Sequence, residues 1–378
     1  MPQAYGVVTY GSVAYGWVMT PTRAPLRRAV GAAVNRVTQA LVTPLVPADY
    51  LDLVAPLRAG ADLRGRVVDV VAETPDAVTI VIRPGRAWAG HVPGQYIRIG
   101  IDVDGVRQWR AYSLTCPPGA PDGNLRITVK AIPDGRVSSH LVRRLRPGTV
   151  VQLDQATGDF VLGEHRGPTL FVTAGSGITP VMGMLRSHLH ELDDVVLVHS
   201  APTAGDVVFG AELRRLAAEG RVRLVERHTD RDGKLAPSDL DDLVPDWRAR
   251  QTWACGPTAM LDDLEAHWTA SGVLDNLHVE RFRATVVAAG EGGTVTFSRS
   301  GTTVEADGGT PILDAGEDAG VLMPSGCRMG ICFGCVVGLR EGAVRDLRNG
   351  DLTVAVPEDG IRIQTCVSAA AGPCDIDL

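Results

Sequence analysis

Cys327, Cys332 and Cys335 fall within nine residues of one another, and Cys366 follows after thirty more. No other feature restricts this chain as strongly. The C-x4-C-x2-C…C spacing supplies four thiolates at positions suited to an iron–sulfur cluster. Three of them come from one loop that has to wrap an inorganic core, and Gly326, Gly330 and Gly334 put backbone without side chains where that loop must come close. Structural zinc is the competing reading. It is weaker, because zinc sites usually pair two C-x2-C knuckles and only one such pair is present. Seven cysteines in 378 residues are too few for a disulfide framework, and Cys374 lies outside the spacing.

A cluster loop needs few residues, so most of the chain must do something else, and its length suggests two to three compact units. From 62 to 165 the sequence runs in short β-branched stretches at 66–71, 77–82, 96–101, 125–131 and 150–153, separated by turn signals such as Asp122-Gly123. This pattern predicts an antiparallel β-barrel. From 166 to 283 strands alternate with helices, which predicts a doubly wound parallel sheet: a strand at 169–173, a glycine turn, a helix from Pro180, then further strands at 195–199, 222–226 and 251–254. Residues 284–292 read as a linker into a last small domain at 293–378.

Residues 1–61 form a leader. Leu26, Val30, Ala33, Val34, Val37 and Leu41 share one helical face, with Arg27, Arg28, Asn35 and Gln39 opposite. The expectation is an amphipathic helix packed on its own protein, the alternative being a basic helix on a membrane surface. No apolar run reaches the ~18 residues of a membrane span, and the first residues lack the pattern of a secretory signal, so the expected location is cytoplasmic. Net charge is -7, which argues against nucleic acid as a partner. The charge is uneven: residues 1–61 hold five Arg against two Asp, and 293–378 hold six Arg against twelve Asp and Glu. The acidic end would suit a basic docking face on a partner.

Two further motifs join the cysteines. Arg110-Ala111-Tyr112-Ser113 lies on an expected barrel strand, preceded by Pro93-Gly94-Gln95-Tyr96 and followed by Gly135-Arg136-Val137-Ser138-Ser139. An arginine can pair with a pyrophosphate and a tyrosine can flank a flat ring, while the serine hydroxyl can hydrogen-bond to it. Ala174-Gly175-Ser176-Gly177-Ile178-Thr179-Pro180 sits between a strand and a helix, where glycines let a pyrophosphate reach backbone N–H groups at the helix start. Ala254-Cys255-Gly256-Pro257 and Glu280-Arg281-Phe282 follow later.

In that order and spacing these segments resemble the ferredoxin–NADP reductase superfamily, over residues 62–283, and 293–378 resembles the β-grasp fold (α+β) of plant-type [2Fe-2S] ferredoxins. The domain order resembles reductase components of oxygenases and desaturases. The end of the leader, Pro47-Ala48-Asp49-Tyr50-Leu51, and residues 100–114 look closest to an actinobacterial stearoyl-CoA desaturase reductase. The resemblance implies FAD held by Arg110, Tyr112, Ser113, Gln95, Val137, Ser138 and Phe282. It implies NADPH or NADH held by Gly175, Gly177, Thr179, Pro180, Cys255, Gly256 and Pro257. Ser113, Cys255 and Glu280 would work at the reacting centre, and Cys327, Cys332, Cys335 and Cys366 would ligate the cluster. The implied function is a relay from NAD(P)H to FAD to [2Fe-2S] and out to a protein acceptor, a membrane desaturase or an oxygenase. A nicotinamide gives two electrons and a cluster accepts one, so a flavin must stand between them. Two other readings stay open, a self-contained NAD(P)H reductase of a small acceptor and a redox-sensing module. Arg227 is the candidate reader of an NADP 2′-phosphate.

Overall fold

The computed structural model describes residues 54–58, 60–103, 106–132, 135–282, 289–326, 328–330 and 333–378. The leader helix, most of the expected linker, Cys327 and Cys332 lie outside the described residues.

The first sheet is antiparallel, built from β1 (Arg64–Thr74), β2 (Ala77–Pro84), β3 (Tyr96–Val103), β4 (Val106–Ser113), β5 (Leu125–Lys130) and β6 (Val150–Leu153) in the order β4-β3-β6-β1-β2-β5. It closes on itself just past β4, where Leu114 bridges Ile127 and the Thr115 N–H donates to the Arg126 carbonyl at 2.8 Å. Closure removes the exposed edges and gives the expected barrel. Ile80, Ile82, Ile97, Ile99, Leu114 and Ile127 fill it, each almost wholly buried. Between β5 and β6 runs a helix that the strand pattern did not suggest, α1 (Arg136–Arg143), whose Val137 and Leu141 are buried in the barrel's core cluster. Its four-residue spacing of apolar side chains was hidden among polar residues.

The second sheet is wholly parallel: β7 (Thr169–Ala174), β8 (Val195–Ala201), β9 (Arg223–His228), β10 (Gln251–Cys255) and β11 (Leu277–Glu280) in the order β11-β10-β7-β8-β9. Helices α2 (Ile178–His188), α3 (Gly210–Ala218) and α4 (Thr258–Ala270) supply crossovers. Strand residues alternate between two cores. Phe171 and Leu197 face Met182, Leu185 and Leu213, whereas Leu170, Val172, Val196 and Val198 face Trp247, Leu261 and Trp268. The chain builds outward from β7 through β9 and returns to lay β10 on the other side of β7. That reversal opens a crevice beyond the strand ends, where ligands of such sheets bind. α2 begins at Ile178 rather than Pro180, after a 3-10 turn over Gly175–Gly177. Proline is tolerated in the first turn, where its missing N–H has no partner to lose.

The third sheet holds β12 (Gly293–Phe297), β13 (Thr302–Ala306), β14 (Val336–Asp346), β15 (Leu352–Ala355) and β17 (Ser368–Ile376) in the order β13-β12-β17-β14-β15, with β16 (Arg362–Gln364) paired to part of β14. β12 and β17 are parallel and the other pairs antiparallel. Helix α5 (Ile312–Asp318) buries Ile312 and Leu313 in the same cluster as Val295, Phe297, Val337 and Ile376, as a β-grasp domain requires.

Candidate functional site

A cavity of about 770 Å³ is walled by all three domains. From the barrel come Arg110, Tyr112 and Ser113 on β4, Thr128 and Lys130 on β5, and Val137 and Ser138 on α1. The parallel sheet contributes Ser176 and Thr179 from the glycine turn, with Glu280 and Phe282 from the end of β11. The last domain contributes Asp314 and Glu317 of α5, Leu322, Arg328, Met329 and Cys366.

β4 pairs with β3 in strict register, Tyr96 opposite Ser113 and Ile99 opposite Arg110, which fixes the motif residues along one strand. The Arg110 guanidinium donates to the Trp109 carbonyl at 2.8 Å. Burial lowers its pKa to about 10, and nearby Arg328 adds to the effect while Glu317 opposes it. A half-buried cation in a cavity of this size is a natural anion site. Burial also raises the Tyr112 phenol, which therefore stays neutral. At the opposite wall burial lifts the Glu280 carboxyl to about 7, helped by the negative charge of Asp159. Phe282 is 37% exposed, unusual for its ring, and stands at the rim.

The glycine turn is built for backbone contact. Gly175 adopts φ +54° with nothing within 4 Å of the position a Cβ would take, so its outer side is open to a ligand. Gly177 faces inward: a Cβ there would lie 2.0 Å from the Cys255 carbonyl oxygen. Thr179 Oγ1 donates to the Ser176 carbonyl at 2.9 Å and tightens the turn. Gly175, Gly177, Pro180, Cys255, Gly256 and Pro257 stand behind or beside the cavity wall rather than on it. Cys255 is wholly buried; burial first and Glu280 second push its thiol well above the usual range. Gln95 is also off the wall. Its amide accepts from the Val92 N–H at 2.9 Å and donates to the Gly158 carbonyl at 3.3 Å, stapling the turn that leads into β3. Arg227 is committed elsewhere, to the Gly233 and Asp232 carbonyls and to Asp239 at 3.0 Å, which leaves no fork free for a phosphate.

Of the four motif cysteines, Cys335 and Cys366 are described, both buried with sulfurs 3.2 Å apart. That separation exceeds the ~2.05 Å of a disulfide and suits two thiolates converging on one metal centre. Arg348, close enough for both thiols to stabilise its charge after its main partner Asp346, gives the pair a cationic neighbour. The donor set therefore fits an anionic iron–sulfur group. The cavity, with a half-buried arginine, a neutral phenol and walls that mix apolar with charged side chains, fits a flavin carrying a diphosphate. Thr128, Lys130, Asp314, Glu317, Arg328 and Met329 were missed in the sequence. Arg328 and Met329 sit inside the cysteine loop and could have been suspected; the rest carry no local signal.

Family models match three segments: an oxidoreductase FAD-binding domain over residues 79–162, an oxidoreductase NAD-binding domain over 171–266 and a 2Fe-2S iron-sulfur cluster binding domain over 295–371. The chain is 51% identical over 355 residues to an NADPH oxidoreductase of Mycobacterium tuberculosis, covering 92% of each. It is 30% identical to the ferredoxin reductase component of 3-ketosteroid-9-alpha-monooxygenase of Mycolicibacterium smegmatis, covering 78% of this chain and 91% of that one. Among solved structures it is similar to phthalate dioxygenase reductase, with TM-score 0.56, 26% identity and coverage of 83% of this chain and 97% of the other. With the three domains, the shared cavity and these relatives together, the chain belongs to the ferredoxin–NADP reductase superfamily, in the branch with a C-terminal [2Fe-2S] ferredoxin domain, and is an NAD(P)H oxidoreductase of the electron-transfer kind.

Proposed function

We propose that this protein takes hydride from NADPH and delivers electrons one at a time to a separate protein oxygenase. A single observation carries the reading: Ser113 and Tyr112, Glu280 and Phe282, and Cys366 wall the same cavity. The residues assigned to donor, converter and exit thus line one cavity. FAD, when bound, supplies the conversion from two-electron to one-electron transfer.

The chain's own residues do the rest. Arg110 would hold the flavin's diphosphate, and Tyr112, Val137 and Ser138 would bind the rest of the cofactor, with Gln95 holding the turn before β3. Gly175, Gly177 and Thr179 bring backbone N–H groups and the start of α2, with Pro180 in its first turn, to the coenzyme's pyrophosphate. Cys255, Gly256 and Pro257 shape the opposite lip of the crevice. Phe282, on the cavity wall, would shield the flavin where nicotinamide approaches. Ser113 offers a hydroxyl at the reacting edge, and Glu280, with its pKa of about 7, can hold or release a proton there at neutral pH. Cys327, Cys332, Cys335 and Cys366 are the cluster ligands, and the acidic domain that carries them meets the acceptor.

NADPH is preferred over NADH because the relative at 51% identity is named for it. An oxygenase is preferred as acceptor because a 30% identical relative is the reductase component of one. A membrane fatty-acyl desaturase is the second reading, supported by the resemblance of residues 47–51 and 100–114, and it would give the basic helix expected in the leader a membrane-surface role. Among the described residues no helix is long and apolar enough to cross a membrane.

The test is anaerobic reduction with NADPH and, separately, NADH, following flavin absorbance and the reduced cluster by electron paramagnetic resonance. Fast bleaching by NADPH with a [2Fe-2S] signal is expected. Absence of either sinks the relay, and faster reduction by NADH overturns the coenzyme assignment. Turnover with purified oxygenase or desaturase then separates the acceptors.

A further inference from the structure

Gly330 lies in the middle of the loop between Cys327 and Cys332, with φ +75°. The direction a Cβ would take is already filled by Arg348 Nη1 at 2.4 Å and Val367 Cγ1 at 3.0 Å. The Gly330 carbonyl accepts two hydrogen bonds, from Arg348 Nη1 at 3.1 Å and from Gln364 Nε2 at 2.9 Å. The Arg348 side chain is 39% exposed yet tethered. Asp346 grips it through Nε at 3.0 Å and Nη2 at 2.7 Å, and its Nη2 also reaches Gln364 Oε1 at 3.3 Å. The Leu347 N–H donates to the Val367 carbonyl at 2.7 Å, which ties the turn carrying Arg348 to the residue after Cys366. Asp346, Arg348, Gln364 and Gly330 thus form a closed circuit joining the three-cysteine loop to the segment of the fourth cysteine.

We propose that Arg348 is a positioning residue that locks the cluster loop and places a fixed positive charge beside the cluster, raising its reduction potential. The inference rests on the cluster reading above. Hydrogen bonding and local charge are the protein's main means of setting such potentials. A cation near the ligands favours the state with one more electron, and an arginine stays charged at any working pH. Asp346 plays the opposite part: it orients the guanidinium and offsets some of its field.

The experiment is a mediator redox titration of the full-length, cluster-loaded protein, read by electron paramagnetic resonance and independent of NADPH and flavin. Wild-type protein without a [2Fe-2S] signal would sink the cluster reading itself, whereas the comparison of variants tests Arg348. In R348Q the reduced-to-oxidised ratio at a fixed potential is expected to fall about tenfold, or 59 mV for one electron. R348K, which keeps the charge without the fork, should recover most of that loss. D346N removes the counter-charge and should shift the ratio the other way. If R348Q no longer retains its cluster, D346N and R348K carry the decision. A wild-type potential in R348Q, or a D346N potential at or below wild type, overturns the proposal.

Discussion

Gly177 packs against the Cys255 carbonyl just past the ends of the paired strands β7 and β10, so close that a methyl on Gly177 would stand 2.0 Å from the oxygen. The two turns are therefore set against each other, backbone to backbone. Gly177→Ala must push them apart, because the obstructing atoms are main chain. A loss of about 1–3 kcal/mol is expected from overpacking, together with weaker coenzyme binding. Gly175→Ala meets open space and carries only the strain of its φ of +54°. Denaturant midpoints and the NADPH dependence of flavin bleaching compare the two; equal behaviour would mean the contact is not rigid.

The Glu280 carboxyl is raised from 4.5 to about 7 by burial and by Asp159. The folded protein thus keeps a proton that the unfolded chain releases, so this contribution is complete below about pH 4.5 and is lost as pH rises through 7. Above that, charging the buried carboxylate costs as much as about 3 kcal/mol. Glu280→Gln should flatten the fall in stability between these pH values and remove a pH-dependent step near 7 from flavin reduction. Urea melts at pH 5 and pH 8, run beside stopped-flow bleaching, decide it; parallel profiles for wild type and variant would refute the assignment.

Arg186 on α2 ties the nucleotide sheet to the barrel. Its guanidinium donates to the Thr115 carbonyl at 2.7 Å and grips Glu212 at 2.6 and 3.1 Å while lying 4.7 Å from the Phe209 ring centre. Arg186→Met should cost about 1.5–3 kcal/mol, the range for hydrogen bonds to charged groups. A midpoint shift in guanidinium chloride worth less than 0.5 kcal/mol, roughly the effect of an exposed substitution, would show the tie to be incidental.

Cys366→Ser would remove the proposed fourth cluster ligand without touching β4 or the glycine turn. NADPH should still bleach the flavin at close to the wild-type rate, while iron content and the [2Fe-2S] signal drop away and transfer to a protein acceptor stops. Retention of the cluster signal would place the fourth ligand elsewhere.

The leader's expected helix illustrates one limit of reading a sequence: a stripe of apolar residues at helical spacing says nothing about what covers it. Inside the barrel the same limit hid α1, since Val137 and Leu141 alone cannot advertise a helix flanked by serine and arginine. Strands were easier. β2 and β7 consist largely of β-branched and apolar residues between turn signals, and such local patterns survive folding because side-chain period and burial are coupled within the strand.

Gln95 and Arg227 show a different limit. Gln95 stands in a flavin-like motif and Arg227 follows a strand, and both already have partners in the fold, Gln95 the Val92 N–H and Gly158 carbonyl, Arg227 the Gly233 and Asp232 carbonyls and the Asp239 carboxylate. Competition between a ligand and the chain's own carbonyls is settled only by distances in the folded state.

By itself the sequence determined the cluster chemistry, the three-domain order and the two glycine- and arginine-bearing motifs, because each depends on residues close together along the chain. Only the tertiary structure decided that Ser113, Glu280 and Cys366, up to 253 positions apart, wall one cavity. It also decided that Arg348 and Gln364 share the Gly330 carbonyl. Those relations arise from sheet closure, strand order and the burial of charge, which link residues through space and leave no local pattern to read.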